Sequence, residues 1–246
     1  MTTIRAAFHV HSEWSYDASL KLTEIAELFR GRCEAVFMCE HDRGFSAARL
    51  EEYREACAAA GENGPLLIPG IEYAGPEDRV HVPVWGPVPF LGEAVPTAEL
   101  LRAAREHQGL SVLAHPVRRD AWQVMDEEWL SLAGGVEIWT RKWDGWAPNR
   151  RATGWVASHG LLGVGALDLH RARQMFPLSM ELELEGGLSA EACVEAARAG
   201  RARAMLGRLP VAALQGSLPG TVAQGVEVLR RPAFRAARRA RERLAR

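Results

Sequence analysis

The chain has 246 residues, of which 48% are hydrophobic, and its formal net charge is −1 at pH 7. This length is typical of one α/β barrel domain, and the near-neutral charge gives no overall field that would attract nucleic acid or a membrane surface. No stretch reaches the roughly 20 apolar residues of a membrane span, and the N-terminal residues lack the apolar core of a signal peptide. The cysteines at 33, 39, 57 and 193 show no Cys-x-x-Cys spacing. We therefore expect a cytoplasmic protein with reduced thiols.

Short apolar runs alternate along the chain with longer segments of helical periodicity, which is the pattern of β/α units. The runs predict strands at 4–10, 35–39, 66–73, 80–85, 110–114, 136–139, 161–167 and 178–184. Helices are predicted near 21–31, 46–60, 97–108, 119–133, 148–159 and 189–199. No repeat or linker interrupts the alternation, so we expect a single domain over residues 1–246. The Arg- and Ala-rich residues 226–246 predict a basic terminal helix, which we interpret as solvated rather than as a nucleic-acid contact.

Two histidines stand at i and i+2 where the first predicted strand ends. Side chains alternate between the faces of a strand, so His9 and His11 are expected to point the same way while Val10 packs behind them. Two imidazoles on one side can present nitrogens to a common metal ion. Asp17, on the polar loop that follows, could fold back toward them. Two buried, hydrogen-bonded histidines would give the same pattern, so the motif alone does not decide.

Later apolar runs also end in, or contain, side chains of the metal-binding types. Because the carboxyl ends of the strands in a parallel barrel converge on one face, residues far apart in sequence would meet there. His107 and His159 lie elsewhere, on predicted helices, and we interpret them as structural or surface residues. The residues near strand ends are His41, Glu72, His81, His115, Asp168 and His170.

In order, the motifs H-x-H with a following acidic residue, E-H-D, G-I-E, a later histidine, H-P and D-x-H resemble those of the PHP (polymerase and histidinol phosphatase) superfamily over residues 6 to 171. The resemblance implies a distorted (β/α)7 TIM-like barrel with two or three divalent ions, usually zinc, manganese or iron, at the C-terminal ends of the strands. It assigns one metal to His9, His11, Glu72 and Asp168. It assigns a second to Asp17, His41 and His170, and a third to His81 and His115 with Glu72 as the bridge.

All nine positions of that ligand set are filled, which favours a complete trinuclear centre. Two departures from the family pattern stand out. Leu167 replaces the small hydroxyl residue that usually precedes the final aspartate. Only 42 residues separate Glu72 from His115, too few for the inserted domain of the family's nucleotide-bisphosphate phosphatases.

The ligand set and the resemblance predict a metal-dependent phosphoesterase, either a phosphatase or a phosphodiesterase, that attacks with a metal-bridging hydroxide. Its expected substrate is a small phosphorylated metabolite or a nucleotide. Metal-bound histidines have committed a lone pair, so Asp42 is the candidate proton donor, with helix capping as its alternative role. Arg118 and Arg171 are candidates for gripping phosphate, although a solvated surface role also fits each of them.

Two further functions fit parts of the pattern. An amidohydrolase-type metalloenzyme acting on C–N or C–O bonds also begins with H-x-H and ends with an aspartate, but it would not require His41, Asp17 or His170. A non-catalytic nucleic-acid or partner-binding protein would use the Arg-rich terminus, and it would leave the ligand set without a role. We expect no membrane partner.

Overall fold

The structure is a computed structural model that describes residues 1–76, 78–214, 220–223 and 225–227. Its strands are β1 (Thr2–Val10), β2 (Ala35–Met38), β3 (Glu40–His41), β4 (Leu66–Ile68), β5 (Gly70–Ala74), β6 (His81–Trp85), β7 (Leu110–Leu113), β8 (Gly135–Thr140), β9 (Leu162–Ala166), β10 (Leu178–Leu184), β11 (Ala202–Leu206) and β12 (Leu209–Pro210). Its helices are α1 (Leu22–Phe29), α2 (Ala47–Gly61), α3 (Thr97–Glu106), α4 (Glu127–Leu132), α5 (Arg141–Asp144), α6 (Arg150–His159), α7 (Ala190–Arg198) and α8 (Val211–Leu214).

Two of the predicted elements are divided. Pro69 separates β4 from β5 within the predicted strand 66–73, because proline has no N–H to donate to a ladder. The predicted helix 119–133 is a 3-10 turn at Arg118–Gln123 followed by α4, since Arg119 and Asp120 have left-handed φ angles of 48° and 54°. The short elements β3, β11, β12, α5 and α8 were not predicted. The predicted basic helix at 226–246 lies outside the described residues, except for 226 and 227.

The strands form two six-stranded sheets, ordered β12–β11–β10–β1–β2–β4 and β3–β5–β6–β7–β8–β9. The strands β1, β2 and β4 run parallel, as do β7, β8 and β9, whereas β6 is antiparallel to both β5 and β7. The described residues therefore form a mixed α/β fold without a closed barrel, where the family resemblance implied a distorted (β/α)7 barrel. The reason is that β10 pairs with β1 over residues 2–6 and occupies the edge that a closing strand would need.

Beyond the end of β9, the chain pairs with the part of the same β1 edge that β10 leaves unpaired. The N–H groups of Leu167 and Leu169 donate to the carbonyls of Phe8 and His9 at 3.0 and 3.1 Å. The two sheets are thus joined by backbone hydrogen bonds at the end of β1 that carries the two histidines. This junction brings the segment of Asp168 next to His9 in space, although the two are far apart in the sequence.

An aromatic cluster fills the core beneath this junction. The rings of Phe8 and Phe37 stack at 3.8 Å, and Trp85 packs edge-on against both. The Trp85 indole N–H donates to the carbonyl of Met38 at 2.6 Å. A Cβ at Gly70 would overlap that indole ring, so any larger residue at this position on β5 would have to displace Trp85. The rigid core fixes the strands whose ends carry the candidate site.

The helices cover the outer faces of the sheets. The N-termini of α2, α4, α6 and α7 are capped by the side chains of Ser46, Asp126, Asn149 and Ser189, which accept hydrogen bonds from first-turn N–H groups. None of the described helices combines the length and hydropathy that crossing a bilayer requires. All four cysteines are free thiols, three of them buried.

Candidate metal centre

The side chains of nine residues form one cluster, with the buried carboxylate of Glu72, in the middle of β5, at its centre. The exposed fraction of Glu72 is 1%, and imidazoles from β1, β3, β6 and the end of β7 surround it. The nine are the ones that the sequence singled out: His9, His11, Asp17, His41, Glu72, His81, His115, Asp168 and His170. From Glu72 Oε1 the distances are 2.9 Å to His81 Nδ1, 3.1 Å to His115 Nε2 and 3.3 Å to His9 Nε2, and from Oε2 they are 3.1 Å to His41 Nδ1 and 3.5 Å to His11 Nε2.

The pair on β1 is brought together by a bulge and not by strand alternation alone. His9 has a left-handed φ of 64°, and the register between β1 and β2 shifts between Phe8 and Val10. A bulge re-aims a side chain at the end of a strand. The Nε2 atoms of His9 and His11 consequently lie 3.0 Å apart.

Glu137 on β8 fixes the orientation of His9, and sequence reasoning missed it. His9 Nδ1–H donates to Glu137 Oε1 at 2.5 Å, and the other carboxylate oxygen accepts from the backbone N–H of His115 at 2.7 Å and from the Thr140 hydroxyl. Because Nδ1 is the donor, the Nε2 lone pair of His9 faces the cluster. Glu137 is the single charged residue in the apolar run 136–139, and a lone charge in a predicted strand was the sequence feature that could have indicated a functional role.

A second buried carboxylate, Glu40, orients His11 through Ser15. The Ser15 hydroxyl donates to Glu40 Oε2 at 2.6 Å, so it accepts from the backbone N–H of His41 and from His11 Nδ1 at 3.2 Å. The Ser12 and Tyr53 hydroxyls also donate to Glu40. Burial raises the pKa of Glu40, while these donors stabilise its charged form. Like His9, His11 therefore turns its Nε2 lone pair toward the cluster.

The tautomers of His9 and His11 bear on whether a cation fits between them. With His9 and His11 both neutral and protonated on Nδ1, two Nε2 lone pairs would face each other at 3.0 Å. Such an arrangement is repulsive unless a proton or a cation lies between them and the neighbouring carboxylates. Burial opposes charge on His9, but Glu72 and Glu137 raise its pKa well above the usual value, so without metal a proton occupies this position. Nitrogen and carboxylate donors together suit zinc, manganese or iron. The residues present fit divalent metal ions.

Asp17 links the imidazoles of His41 and His170 at the mouth of the cluster. Its Oδ1 lies 3.3 Å from His41 Nε2 and its Oδ2 lies 3.2 Å from His170 Nε2. Burial favours the neutral carboxyl, but the hydrogen bonds to His170 and His41 outweigh it and hold the pKa of Asp17 well below its usual range. Burial also lowers the pKa of His41. The hydrogen bonds to Asp17 and Glu72 outweigh that effect and raise this pKa to about 10. With a side chain 40% exposed, Asp17 faces solvent.

The two oxygens of Asp168 face different groups. Oδ1 lies 3.3 Å from His170 Nδ1 and just under 4 Å from the Nε2 atoms of His9 and His11. Oδ2 accepts from Lys142 Nζ at 2.9 Å and from Trp143 Nε1 at 2.6 Å. Leu167, the departure from the family pattern, is buried in the core, and its backbone N–H is bonded to β1.

His81 and His115 complete the cluster on the side of β6. Because β6 runs antiparallel to its neighbours, its first residue, His81, lies at the end where the parallel strands finish. His81 Nε2 is also 2.7 Å from Oδ1 of Asp78, a residue that the sequence analysis did not single out. In the described residues, the buried Nδ1 of His115 has no hydrogen-bond partner. One ring nitrogen of His115 thus forms no hydrogen bond with these residues.

Four overlapping groups of these side chains place one donor atom of each member within 4.8 Å of the others. Two of the groups centre on Glu72, and two centre on His11. The groups are His9–His11–Asp168, His11–His41–His170, His9–Glu72–His115 and His41–Glu72–His81. Of these four groups, only His9–His11–Asp168 lies within one of the three metal positions that the family resemblance implies; each of the others combines ligands assigned to different positions, and Asp17 belongs to none of the four.

The other predicted site residues lie at the edge of the cluster. The buried Asp42 carboxylate accepts backbone hydrogen bonds from Ala74 and Ala94. It does not cap α2, where Ser46 does so. The Arg118 guanidinium donates to the carbonyl and the carboxylate of Asp78. Arg171 is exposed, and its backbone N–H donates to the side-chain oxygen of Gln174. His107 and His159 lie outside the cluster, on α3's C-terminus and in α6.

No family model and no curated protein matches the chain, but solved structures share its fold. A two-domain protein from Bacteroides vulgatus that contains a predicted PHP-like metal-dependent phosphoesterase superposes with a TM-score of 0.63 at 19% identity, over 85% of this chain and 66% of that one. PsfC from Pseudomonas syringae gives 0.63 at 13% identity, over 95% and 100%.

The lesion-specific endonuclease PfuEndoQ from Pyrococcus furiosus gives a TM-score of 0.54 at 15% identity, over 83% of this chain and 58% of the endonuclease. The chain thus spans just under two thirds of the Bacteroides protein and less of the endonuclease. The fold is that of PHP-like proteins, which confirms at the level of fold the resemblance drawn from the motifs.

Proposed function

We propose that this protein is a metal-dependent phosphoesterase that uses two or three divalent cations. The observation that carries the proposal is the position of Glu72, a buried carboxylate within 3.5 Å of the imidazole nitrogens of five histidines. Burying so many titratable groups together is unfavourable unless cations neutralise the carboxylates and accept the nitrogen lone pairs. The shared fold with PHP-like proteins supports phosphoester chemistry at this cluster.

The ligands would be divided as the motifs suggest. His9, His11, Glu72 and Asp168 would hold one ion, and Asp17, His41 and His170 a second. His81 and His115 would hold a third, with Glu72 as the bridge. When bound, adjacent divalent cations supply an activated water and neutralise the charge on phosphoryl oxygens.

The remaining side chains keep the ligands in position. Glu137 and the Glu40–Ser15 pair hold the protons of His9 and His11 on Nδ1, so both Nε2 atoms stay available as ligands. Tyr16, 66% exposed, stacks on the ring of His41 and shields one face of that imidazole. The substrate would enter on the side of Asp17 and Tyr16, where the cluster meets solvent.

The substrate we favour is a small phosphorylated metabolite or a nucleotide, handled by one domain spanning residues 1–246. The net charge of −1 gives little attraction for a long polyanion. The likeness in fold to a lesion-specific endonuclease makes damaged DNA the second substrate class to assay.

The test is a panel of phosphomonoesters, phosphodiesters, abasic-site DNA, lactones and cyclic amides, with protein loaded in turn with Zn²⁺, Mn²⁺ or Fe²⁺. We expect phosphoester cleavage that is lost with chelator and lost in Glu72→Gln. The exposed Glu55 on α2 provides the control Glu55→Gln, which should retain activity. Cleavage of a lactone or cyclic amide without any phosphoester would support amidohydrolase-type chemistry instead. Metal-loaded protein inert toward every compound would contradict an enzymatic role.

A further inference from the structure

Lys142 lies beside the cluster and has no role in the ligand set. Of the 30 lysines and arginines in the chain, two are lysines, Lys21 and Lys142. Lys142 belongs to α5, immediately after β8, and its Nζ lies 2.9 Å from Oδ2 of Asp168. Among the described residues, it is the basic side chain that forms an ion pair with a proposed metal ligand.

The turn that carries Lys142 is rigid. The backbone N–H of Thr140 donates to Asp144 Oδ2 at 2.9 Å, and the indole N–H of Trp139 donates to the carbonyl of Gly145 at 3.0 Å. Asp144 is fully buried. Both ends of α5 are thus anchored, and the direction in which Lys142 leaves the backbone is fixed before any ligand arrives.

Asp168 does not depend on Lys142 for its orientation. Trp143 Nε1 donates to the same oxygen at 2.6 Å, and the flanking Leu167 and Leu169 are bonded to β1. An ammonium has three donors, and the bond to Asp168 uses one. The Lys142 side chain is 34% exposed, so solvent and solutes have access to it beside Asp168.

Arg171, one of the two arginines that the sequence proposed for gripping phosphate, is exposed, and the other has a partner beside the cluster. Arg118 is bonded to Asp78, and Arg141 stacks over the ring of Trp146. Arg43 lies 5.4 Å over the ring of Tyr16, much as Lys142 Nζ lies 5.3 Å over that of Trp143, so Lys142 is distinguished by its ion pair with Asp168. The lysine ammonium is a compact charge that already lies against one ligand carboxylate. It could therefore donate a hydrogen bond to one phosphoryl oxygen bound next to the metals.

We propose that Lys142 binds a phosphoryl oxygen of the substrate beside Asp168 and is a specificity-determining residue for phosphoesters over uncharged substrates. This proposal rests on the proposed function. It predicts that replacing the ammonium weakens the binding of inorganic phosphate without changing the number of metal ions bound.

The test uses full-length protein labelled with ¹³C at lysine Cε, which gives two lysine signals that Lys21→Met and Lys142→Met assign. In metal-loaded protein, inorganic phosphate should shift the Lys142 signal and leave the exposed Lys21 signal unchanged. By calorimetry, Lys142→Met should bind phosphate about 10- to 100-fold more weakly, Lys142→Arg should recover part of the loss, and Lys21→Met should match the wild type. Metal content by elemental analysis should be the same in all four proteins.

Phosphate binding that leaves the Lys142 signal unmoved would overturn the proposal. So would a Lys142→Met protein that loses metal and keeps its phosphate affinity, because Lys142 would then act through Asp168. If phosphate shifts Lys142 but no phosphoester is cleaved, the anion site stands and the proposed function fails. If phosphoesters are cleaved equally well by Lys142→Met, with unchanged KM, the proposed function stands and this inference fails.

Discussion

His9 on β1 donates its Nδ1 proton to Glu137 on β8 at 2.5 Å, across 128 positions of sequence. The same carboxylate receives the backbone N–H of His115, so one side chain holds two segments of the cluster. Neither oxygen of Glu137 needs to touch a metal for this to matter. A carboxylate behind an imidazole fixes the tautomer and the direction of the ligand nitrogen.

Replacing this carboxylate should therefore weaken metal binding. We expect Glu137→Ala to lower the affinity for the tightest divalent ion by about 10- to 100-fold, measured by competition with a chromogenic chelator. Glu183→Ala, on the exposed face of β10, is the matched control and should bind as the wild type does. Unchanged affinity in Glu137→Ala would show that the backbone alone positions His9.

The hydroxyl of Ser15 should contribute to stability as well as to ligand geometry. Ser15→Ala removes one donor to the buried Glu40 and leaves the backbone N–H of His41 without its acceptor. Unpaired buried groups cost about 1–3 kcal/mol, so the free energy of unfolding in urea should fall by that amount in metal-free protein. Ser158→Ala, at an exposed position in α6, should change it little. An equal loss in both variants would contradict the Glu40 network as the source.

The residues that the sequence identified and those it missed differ in one physical respect. Histidines and carboxylates near strand ends are a visible signal, and their order along the chain resembles a known set of motifs, so the nine candidate positions could be found without coordinates. Glu137 acts through a contact with His9 that depends on how the two sheets join. Lys142 reaches Asp168 from the end of the neighbouring strand, and Asp78 contacts His81 from an irregular segment three positions away. The order of the sheets depends on β10 pairing with β1, and an alternating apolar pattern does not specify its neighbour.

The close approach of Gly70 to Trp85 gives a prediction for the core. Because a Cβ at Gly70 would overlap the indole, Gly70→Ala should displace Trp85 and lower the free energy of unfolding by about 1–3 kcal/mol. Gly154 in α6 has open space around it. Gly154→Ala should stabilise the protein by about 0.5–1 kcal/mol through helix propensity. Thermal unfolding with circular dichroism compares the two, and a stable Gly70→Ala protein would show that Trp85 can move at little cost.

Metal binding should release protons, and one of them comes from His41. Burial opposes its charge, but Asp17 and Glu72 raise the pKa of His41 to about 10, so the metal-free protein carries a proton there at neutral pH. A histidine must be neutral to act as a ligand. Affinity for the second ion should therefore rise as the pH rises toward 10 and fall as the pH falls. Asp17, whose pKa is lowered, is already ionised at neutral pH and contributes no proton.

Calorimetric titration with metal at pH 7.5, in two buffers of different ionisation enthalpy, counts the protons released. We expect about one proton from His41 that is missing in His41→Gln, while His159→Gln, outside the cluster, should match the wild type.

The raised pKa of His41 also predicts how the stability of the metal-free protein depends on pH. Since the folded-state pKa of His41 is raised, its ion pairs stabilise the fold fully below about pH 6.5 and lose this contribution as the pH rises toward 10. The stability advantage of wild type over His41→Gln should shrink over that interval, and an advantage that grew instead would mean that His41 is neutral before metal binds.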